Sequence, residues 1–102
     1  MDIELLYFAG CPNWPVARDR LGQALDAAGV SGAQVVLRAV ESERDVAATG
    51  FAGSLTFRVD GRDLFPVPEA APALSCRVYA TPEGLAGVPT VDQLAARSAA
   101  AS

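Results

Sequence analysis

Residues 3–14 read Ile3-Glu4-Leu5-Leu6-Tyr7-Phe8-Ala9-Gly10-Cys11-Pro12-Asn13-Trp14. The apolar run Ile3–Phe8 ends at Ala9-Gly10, which is typical of a buried strand. Pro15 then suits the first turn of a helix, because its missing N–H has no intrahelical partner there. Gly29 is a natural residue for the end of that helix. Apolar residues recur between these points with helical spacing, at Trp14, Ala17, Leu21, Leu25 and Ala28.

The next segments predict a second strand, a short helix and a third strand. Ala33–Val40 is β-branched and apolar apart from Gln34 and Arg38, so we expect a central strand that is apolar on both faces. Ser42-Glu43-Arg44-Asp45 is a capping-box-like start for a helix that ends at Thr49-Gly50. Leu55–Val59 predicts the third strand, closed by a turn at Asp60-Gly61.

The last third of the chain predicts one more strand and one more helix. A loop over residues 62–75 contains three prolines and leads to a fourth strand at Cys76–Ala80. Pro82-Glu83-Gly84 turns the chain, and Thr90 caps a helix from Val91 to about Ser98. We expect one domain over residues 1–98 and a frayed tail over residues 99–102.

The predicted order is β-α-β-α-β-β-α, an α/β fold. The first two strands are joined by a helix, so they should pair in parallel. The third and fourth strands follow each other with no helix between them, so they should pair antiparallel. The sequence thus predicts a four-stranded mixed sheet flanked by helices.

Composition narrows the chemistry that this chain can perform. The 102 residues carry a net charge of −4 and contain no histidine. Eight scattered arginines and no lysine make nucleic acid a poor partner, and no apolar run approaches a membrane span. A Ser-His-Asp or Cys-His pair is excluded, and two cysteines are too few for a four-thiolate zinc site. We expect a cytoplasmic protein with no nucleic-acid or membrane partner.

The predicted order, with a cysteine where the first strand meets its helix, resembles the thioredoxin and glutaredoxin superfamily. The segment 8–14 looks like the active-site turn of that family. Residues 51–61 (Phe-Ala-Gly-Ser-Leu-Thr-Phe-Arg-Val-Asp-Gly) resemble its second active-site loop, and residues 87–94 resemble the start of its last helix. The chain is similar, more narrowly, to small bacterial thioredoxin-like proteins with a Cys-Pro-Asn-Trp motif, some of them labelled alkylmercury lyase.

This resemblance implies that Cys11 is the catalytic residue of thiol-disulfide exchange. A thiol before a helix meets unpaired N–H groups, which favours a nucleophilic sulfur. The alternative is a cysteine retained by packing. Trp14 stands where the dithiol members of the family have a second cysteine, so an outside thiol would have to resolve the intermediate. A low-mass thiol such as glutathione or mycothiol is the expected co-substrate, and a small thiol or a protein disulfide is the expected partner. No resident cofactor is expected.

The predicted substrate-binding residues are Pro12, Asn13, Trp14, Ser54, Leu55 and Thr56. Trp14 either covers the thiol or packs the helix on the sheet, and the hydroxyls of Ser54 and Thr56 either contact a ligand or cap a strand end. Leu55 occupies the position of the cis-proline of the family. Because a cis bond before leucine costs about 3 kcal/mol, we expect a trans Ser54–Leu55 bond and poor binding of glutathione-like ligands.

Cys76 adds a further alternative. It reads as a core cysteine of the fourth strand, although a long loop before it allows the chain to return toward Cys11. No metal site is predicted from spacing, but two meeting thiolates would capture a soft metal ion such as mercury. Three hypotheses therefore stand: a single-thiol exchange protein, a non-catalytic binding module of the same fold, and soft-metal or organomercurial handling by Cys11 and Cys76. The oligomeric state is open.

Overall fold

The computed structural model describes residues 2–8, 10–30, 34–50, 53–65 and 77–101. Over those residues the chain forms three helices and six strands, in a mixed α/β arrangement. In chain order the elements are β1 Asp2–Tyr7, α1 Trp14–Ala27, β2 Gln34–Ala39, α2 Glu43–Thr49, β3 Thr56–Val59, β4 Arg62–Asp63, β5 Tyr79–Thr81, β6 Gly84–Ala86 and α3 Val91–Ala101.

Four of the strands form a mixed sheet in the order β2-β1-β3-β4. β1 and β2 are parallel, with Ile3 opposite Val35, which confirms the predicted pairing of the first two strands. β3 is antiparallel to β1, with Leu6 opposite Thr56, and β4 is antiparallel to β3. The carboxyl end of β1 and the start of β3 therefore lie at the same edge of the sheet.

β2 does not take the central position that its composition predicted. It lies at the edge of the sheet, and all six of its residues are exposed. The prediction failed because an apolar strand composition is shared by central strands and by edge strands whose outer side is uncovered. β1 and β3 are the inner strands instead.

The fourth strand of the sheet is also not the predicted one. Asp60 and Gly61 both have positive φ, 50° and 84°, as the tightest hairpin turns require. The chain therefore reverses at once, and Arg62 and Asp63 become β4. Of the predicted strand Cys76–Ala80, the described end belongs to β5, which pairs antiparallel with β6 in a separate two-stranded sheet. Cys76 itself lies outside the described residues, as do residues 66–75 of the predicted loop.

The main core lies between the sheet and the helices α1 and α3. The buried face of α1 is Ala17, Leu21, Ala24 and Leu25, close to the predicted spacing. These residues form one cluster with Ile3 and Leu5 of β1, Phe57 of β3 and Leu94 of α3. On the other side of β1, Leu6 packs with Val40 and with Val46 of α2. Helices therefore cover parts of both faces, as predicted.

Local capping explains where the helices begin and end. Ser42 Oγ accepts the Asp45 amide at 3.2 Å, and Gly50 ends α2 with a φ of 67°. Thr90 and Gln93 form a reciprocal capping box at α3, with distances of 2.9 and 3.1 Å. These caps confirm the predicted helix starts. α3 continues to Ala101, three residues beyond the predicted end. None of the described helices is long and apolar enough to cross a membrane.

Candidate functional site

Cys11 lies in the turn that joins β1 to α1, as predicted. Its amide donates to the Phe8 carbonyl at 3.0 Å, so the chain reverses immediately after the strand. Asn13 is the N-cap residue of α1, and Pro15 lies in the first turn. The Cys11 side chain is 1% exposed, whereas Gly10 and Pro12 beside it are exposed. The buried thiol thus belongs to the turn immediately before the helix.

Trp14 is held by aromatic and cationic neighbours. Its ring stacks on Tyr7 with centroids 4.7 Å apart and planes 20° apart, and the guanidinium of Arg18 lies 5.5 Å from its centroid. Trp14 is half-buried and also packs against the main core. The packing role predicted as one alternative for Trp14 is therefore real. Trp14 is also partly exposed, and it follows Cys11 by three residues.

Asn13 contacts the loop before α3. A Cβ atom built on Gly87 would collide with the Asn13 side-chain amide and would lie 3.1 Å from its Cγ. Further along α1, Arg20 Nη1 donates to the Pro89 carbonyl at 3.1 Å. These two contacts hold the Gly87–Pro89 backbone against the first half of α1. Beyond the presence of a glycine, nothing in the sequence pointed to this close approach.

The second candidate loop, residues 53–56, lies at the same edge of the sheet as the Cys11 turn. This follows from the pairing of Leu6 with Thr56, which places the residues before β3 next to the residues after β1. Ser54, Leu55 and Thr56 are all buried. Thr56 Oγ1 donates to the Gly53 carbonyl at 2.7 Å, so this hydroxyl has the strand-capping role that was one of its predicted alternatives.

The Ser54–Leu55 peptide bond is cis, and the predicted trans bond is wrong. The prediction considered only the intrinsic preference of a non-proline bond. That preference takes no account of the tertiary contacts of this loop. The Ser54 carbonyl accepts the Arg77 amide at 2.6 Å, and the Leu55 carbonyl accepts the Tyr79 hydroxyl. With its premise gone, the expectation of poor glutathione binding loses its basis.

The second feature of Ser54 is its side-chain hydroxyl, which the sequence analysis offered either as a ligand contact or as a strand cap. Its hydroxyl is buried, and among the described residues Oγ has no hydrogen-bond partner. A buried polar group without a partner is unusual in a native protein and costs about 1–3 kcal/mol. Ser54 is therefore the predicted ligand-contacting hydroxyl that remains available, since that of Thr56 is engaged.

Arg77 supports the 53–55 loop from outside the predicted site. Its side chain is buried, and Nη1 forms an ion pair with Asp63 at 2.8 Å. Nη2 donates to the Phe65 carbonyl, and the guanidinium lies 4.9 Å from the Tyr79 ring centroid. Burial raises the pKa of Tyr79 well above its usual range. Sequence reasoning missed Arg77 and Tyr79, because their roles depend on contacts between distant segments.

Two cavities lie outside the Cys11 turn. An open cavity of about 610 Å³ is lined by Asp60, Arg62 and Arg97 among others, at the end of the sheet remote from Cys11. A smaller one of about 320 Å³ lies beside Gly87–Pro89, between Arg20, Val88 and Thr90. In the described part of the chain, no group of three or more His, Cys, Asp or Glu residues is placed to hold a metal ion. The predicted pair of Cys11 and Cys76 includes a residue, Cys76, that lies outside the described part.

Comparison of this chain with protein-family models, with characterised proteins and with solved structures gives no match.

Proposed function

We propose that this chain is a thioredoxin-like single-thiol protein that exchanges disulfides through Cys11. The observation that carries the proposal is the meeting of the Cys11 turn and the 53–55 loop at one edge of the sheet. The sheet order, with a parallel β1/β2 pair and antiparallel β3 and β4, supports the same fold assignment. In this arrangement the Cys11 turn and the loop that would hold its reaction partner lie at the same edge of the sheet.

The reaction is a pair of thiol exchanges. The Cys11 sulfur attacks a disulfide R–S–S–R′, the S–S bond breaks, and R′S⁻ leaves as a Cys11–S–S–R mixed disulfide forms. A second thiol R″SH loses its proton and attacks the R sulfur, which releases R–S–S–R″ and regenerates the Cys11 thiolate. Trp14 occupies the position from which an internal thiol would otherwise act. A low-mass thiol such as glutathione or mycothiol is the external reactant, which fits a cytoplasmic setting.

Access to Cys11 runs through the turn itself. Gly10 and Pro12 are the exposed residues on either side of the buried thiol. An incoming disulfide would reach the sulfur there, beside Asn13 and Trp14. Ser54 would supply its hydroxyl, which has no partner among the described residues, to the bound thiol group, and Leu55 would supply an apolar wall. Thr56 would contribute by shaping the loop, since its hydroxyl is bonded to Gly53.

Two single substitutions test this proposal. Cys11→Ser should abolish reduction of a small mixed disulfide, whereas Cys76→Ser should keep most of it. Thermal unfolding of both variants controls for loss of fold. If both variants remain folded and lose activity equally, the single-thiol proposal fails and the paired-thiol hypothesis for a soft metal or organomercurial gains support.

A second candidate is a binding module of the same fold without catalysis. The near-complete burial of Cys11 favours it, because a nucleophile must be reached by its substrate. So does Trp14, whose ring is already engaged by Tyr7 and Arg18. A folded wild-type protein whose Cys11 forms no mixed disulfide would favour this candidate over the first.

A further inference from the structure

The outer edge of β2 is not covered by any other strand of the described part of the chain. Among the described residues β2 pairs only with β1, on one side. Its three large aliphatic side chains are unusually exposed, with Val35 at 41%, Val36 at 50% and Leu37 at 40%. Exposed aliphatic side chains along an open strand edge mark a surface that pairs with another strand.

The direction of the backbone groups in β2 follows from one hydrogen bond. The Val40 amide donates to the Tyr7 carbonyl at 2.7 Å, toward β1. Because backbone groups alternate in direction along a strand, those of Val36 and Arg38 also point toward β1. Those of Val35, Leu37 and Ala39 point outward. The open edge therefore presents a regular series of amides and carbonyls to an incoming strand.

The usual protections of an edge strand are missing from β2. Its sequence Gln34-Val35-Val36-Leu37-Arg38-Ala39 contains no proline, glycine or lysine. Its single charge, on Arg38, is already paired with Glu4 at 3.0 Å. No charge on this strand is thus left to repel a neighbouring strand.

We propose that β2 pairs antiparallel with β2 of a second copy of this chain, about a two-fold axis at Val36. The segment 34–38 is polar, apolar, apolar, apolar, polar, so it has the same pattern in both directions. A two-fold interface requires such self-complementarity, because each copy offers the same surface. A foreign peptide would have no reason to match this symmetry, which is why the pattern favours a second copy.

The register of this dimer is defined by the backbone. Val35 lies opposite the partner's Leu37, and their outward-pointing groups form a hydrogen-bonded pair. Val36 lies opposite the partner's Val36 in a non-hydrogen-bonded pair, in which Cα atoms are about 4.5 Å apart. Gln34 lies opposite the partner's Arg38, so its amide oxygen can accept one of the guanidinium donors that Glu4 leaves over. No like charges are opposed.

The expected dimer is weak and responds to salt. Two six-residue strands bury little compared with the ~1,200–2,000 Å² of a stable interface, so dilution should separate the copies. Each copy carries a net charge of −4, and the long-range repulsion between them falls as ions screen it. Raising ionic strength should therefore strengthen the dimer.

Sedimentation velocity over a concentration series tests the proposal with a matched pair of variants. Val36→Lys places two ammonium groups opposite each other and should raise the dimer dissociation constant at least about tenfold. Leu85→Lys alters an aliphatic residue of β6 that is 79% exposed, away from this edge, and should leave the constant unchanged. A mixture of Val36→Lys and Val36→Glu chains should restore association.

Disulfide cross-linking tests the register independently. Val36→Cys should form a 36–36 disulfide between copies, because the expected Cα separation lies within disulfide range, whereas Leu85→Cys should not cross-link. Peptide mapping assigns the linkage. A wild-type chain that stays monomeric to about 1 mM, or binds an unrelated extended peptide while monomeric, would overturn the proposal. A dimer that Val36→Lys leaves intact would overturn it as well.

Discussion

At the scale of single residues, two buried hydroxyls differ in what they can do. Ser54 and Ser98 are both buried, and neither Oγ has a hydrogen-bond partner within the described ranges of the chain. Ser54 lies in the loop beside the Cys11 turn, whereas Ser98 lies in the second half of α3. An unsatisfied hydroxyl lowers stability wherever it is buried. Only at Ser54 does the proposed reaction give the hydroxyl a use.

Removing the Ser54 hydroxyl should therefore separate stability from activity. We expect Ser54→Ala to raise the free energy of unfolding by about 1 kcal/mol, since it removes an unsatisfied buried group. We expect the same variant to lower the rate of mixed-disulfide turnover. Ser98→Ala is the control, with a similar gain in stability and unchanged turnover. Chemical denaturation and the exchange assay measure the two quantities.

Gly87 provides a second residue-scale prediction, because the Asn13 side chain lies directly against its backbone. Gly87→Ala should lower the free energy of unfolding by at most about 1 kcal/mol, because the new methyl group displaces only the end of the Asn13 side chain. Combining it with Asn13→Ala should recover much of the loss. Gly22→Ala on α1 is the control, since no heavy atom of the described residues lies near the added methyl, and should stabilise by about 0.5–1 kcal/mol. Additive effects of Gly87→Ala and Asn13→Ala would contradict the contact.

At the scale of elements, Arg77 joins the sheet to the 53–55 loop. Its guanidinium contacts Asp63 of β4 and the Phe65 carbonyl, and its amide contacts Ser54. A planar fork can satisfy two acceptors in fixed directions, which a lysine ammonium cannot. The position of the loop thus depends on an arginine that is remote from Cys11 in sequence.

Arg77→Lys should consequently destabilise the fold although the charge is kept. We expect a loss of about 1–3 kcal/mol, because one buried acceptor is left without its donor. Arg44→Lys, at an exposed position of α2, should change stability by less than about 0.5 kcal/mol. Urea unfolding of both variants provides the comparison. Equal effects at the two positions would show that the Arg77 fork is unimportant.

Tyr79 of β5 should make the stability of the fold depend on pH. Burial raises the pKa of Tyr79 in the folded protein, so the folded state keeps its proton where the unfolded state, near pH 10, loses it. The folded state then binds more protons, and stability must fall as pH rises above about 10. Tyr79→Phe should show a shallower decline over the same range. Parallel declines of stability in wild type and variant would contradict this assignment.

Some of the elements could be predicted from local sequence and others could not. β1, α1 and the caps of α2 and α3 were predictable, because periodicity, Pro15, Ser42 and Thr90 act within a few residues. The edge position of β2 was not, since an apolar strand has the same composition at either position. The turn at Asp60-Gly61 was predicted, but β4 after it was missed because it is only two residues long. The contacts of the Ser54 and Leu55 carbonyls with residues 77 and 79 were also not predictable, because they join segments that are distant in sequence.

At the scale of the whole molecule, the candidate site collects segments that are far apart in sequence. The Cys11 turn, the 53–55 loop, Arg77 with Tyr79, and the Gly87–Pro89 loop are linked by the pairings and contacts described above. The resemblance to the thioredoxin and glutaredoxin superfamily indicated Cys11, Ser54 and Thr56 as candidates. The links from Asn13 to Gly87 and from Arg77 to Ser54 could not be foreseen, because they require the assembled sheet.

The central claim is that Cys11 is the thiol that exchanges. Its most direct test is incubation of the folded protein with glutathione disulfide, followed by non-reducing intact-mass measurement and peptide mapping. We expect a glutathione adduct on Cys11 that is released when a low-mass thiol is added and is absent in Cys11→Ser. An adduct confined to Cys76, or a folded protein that acquires none, would contradict it.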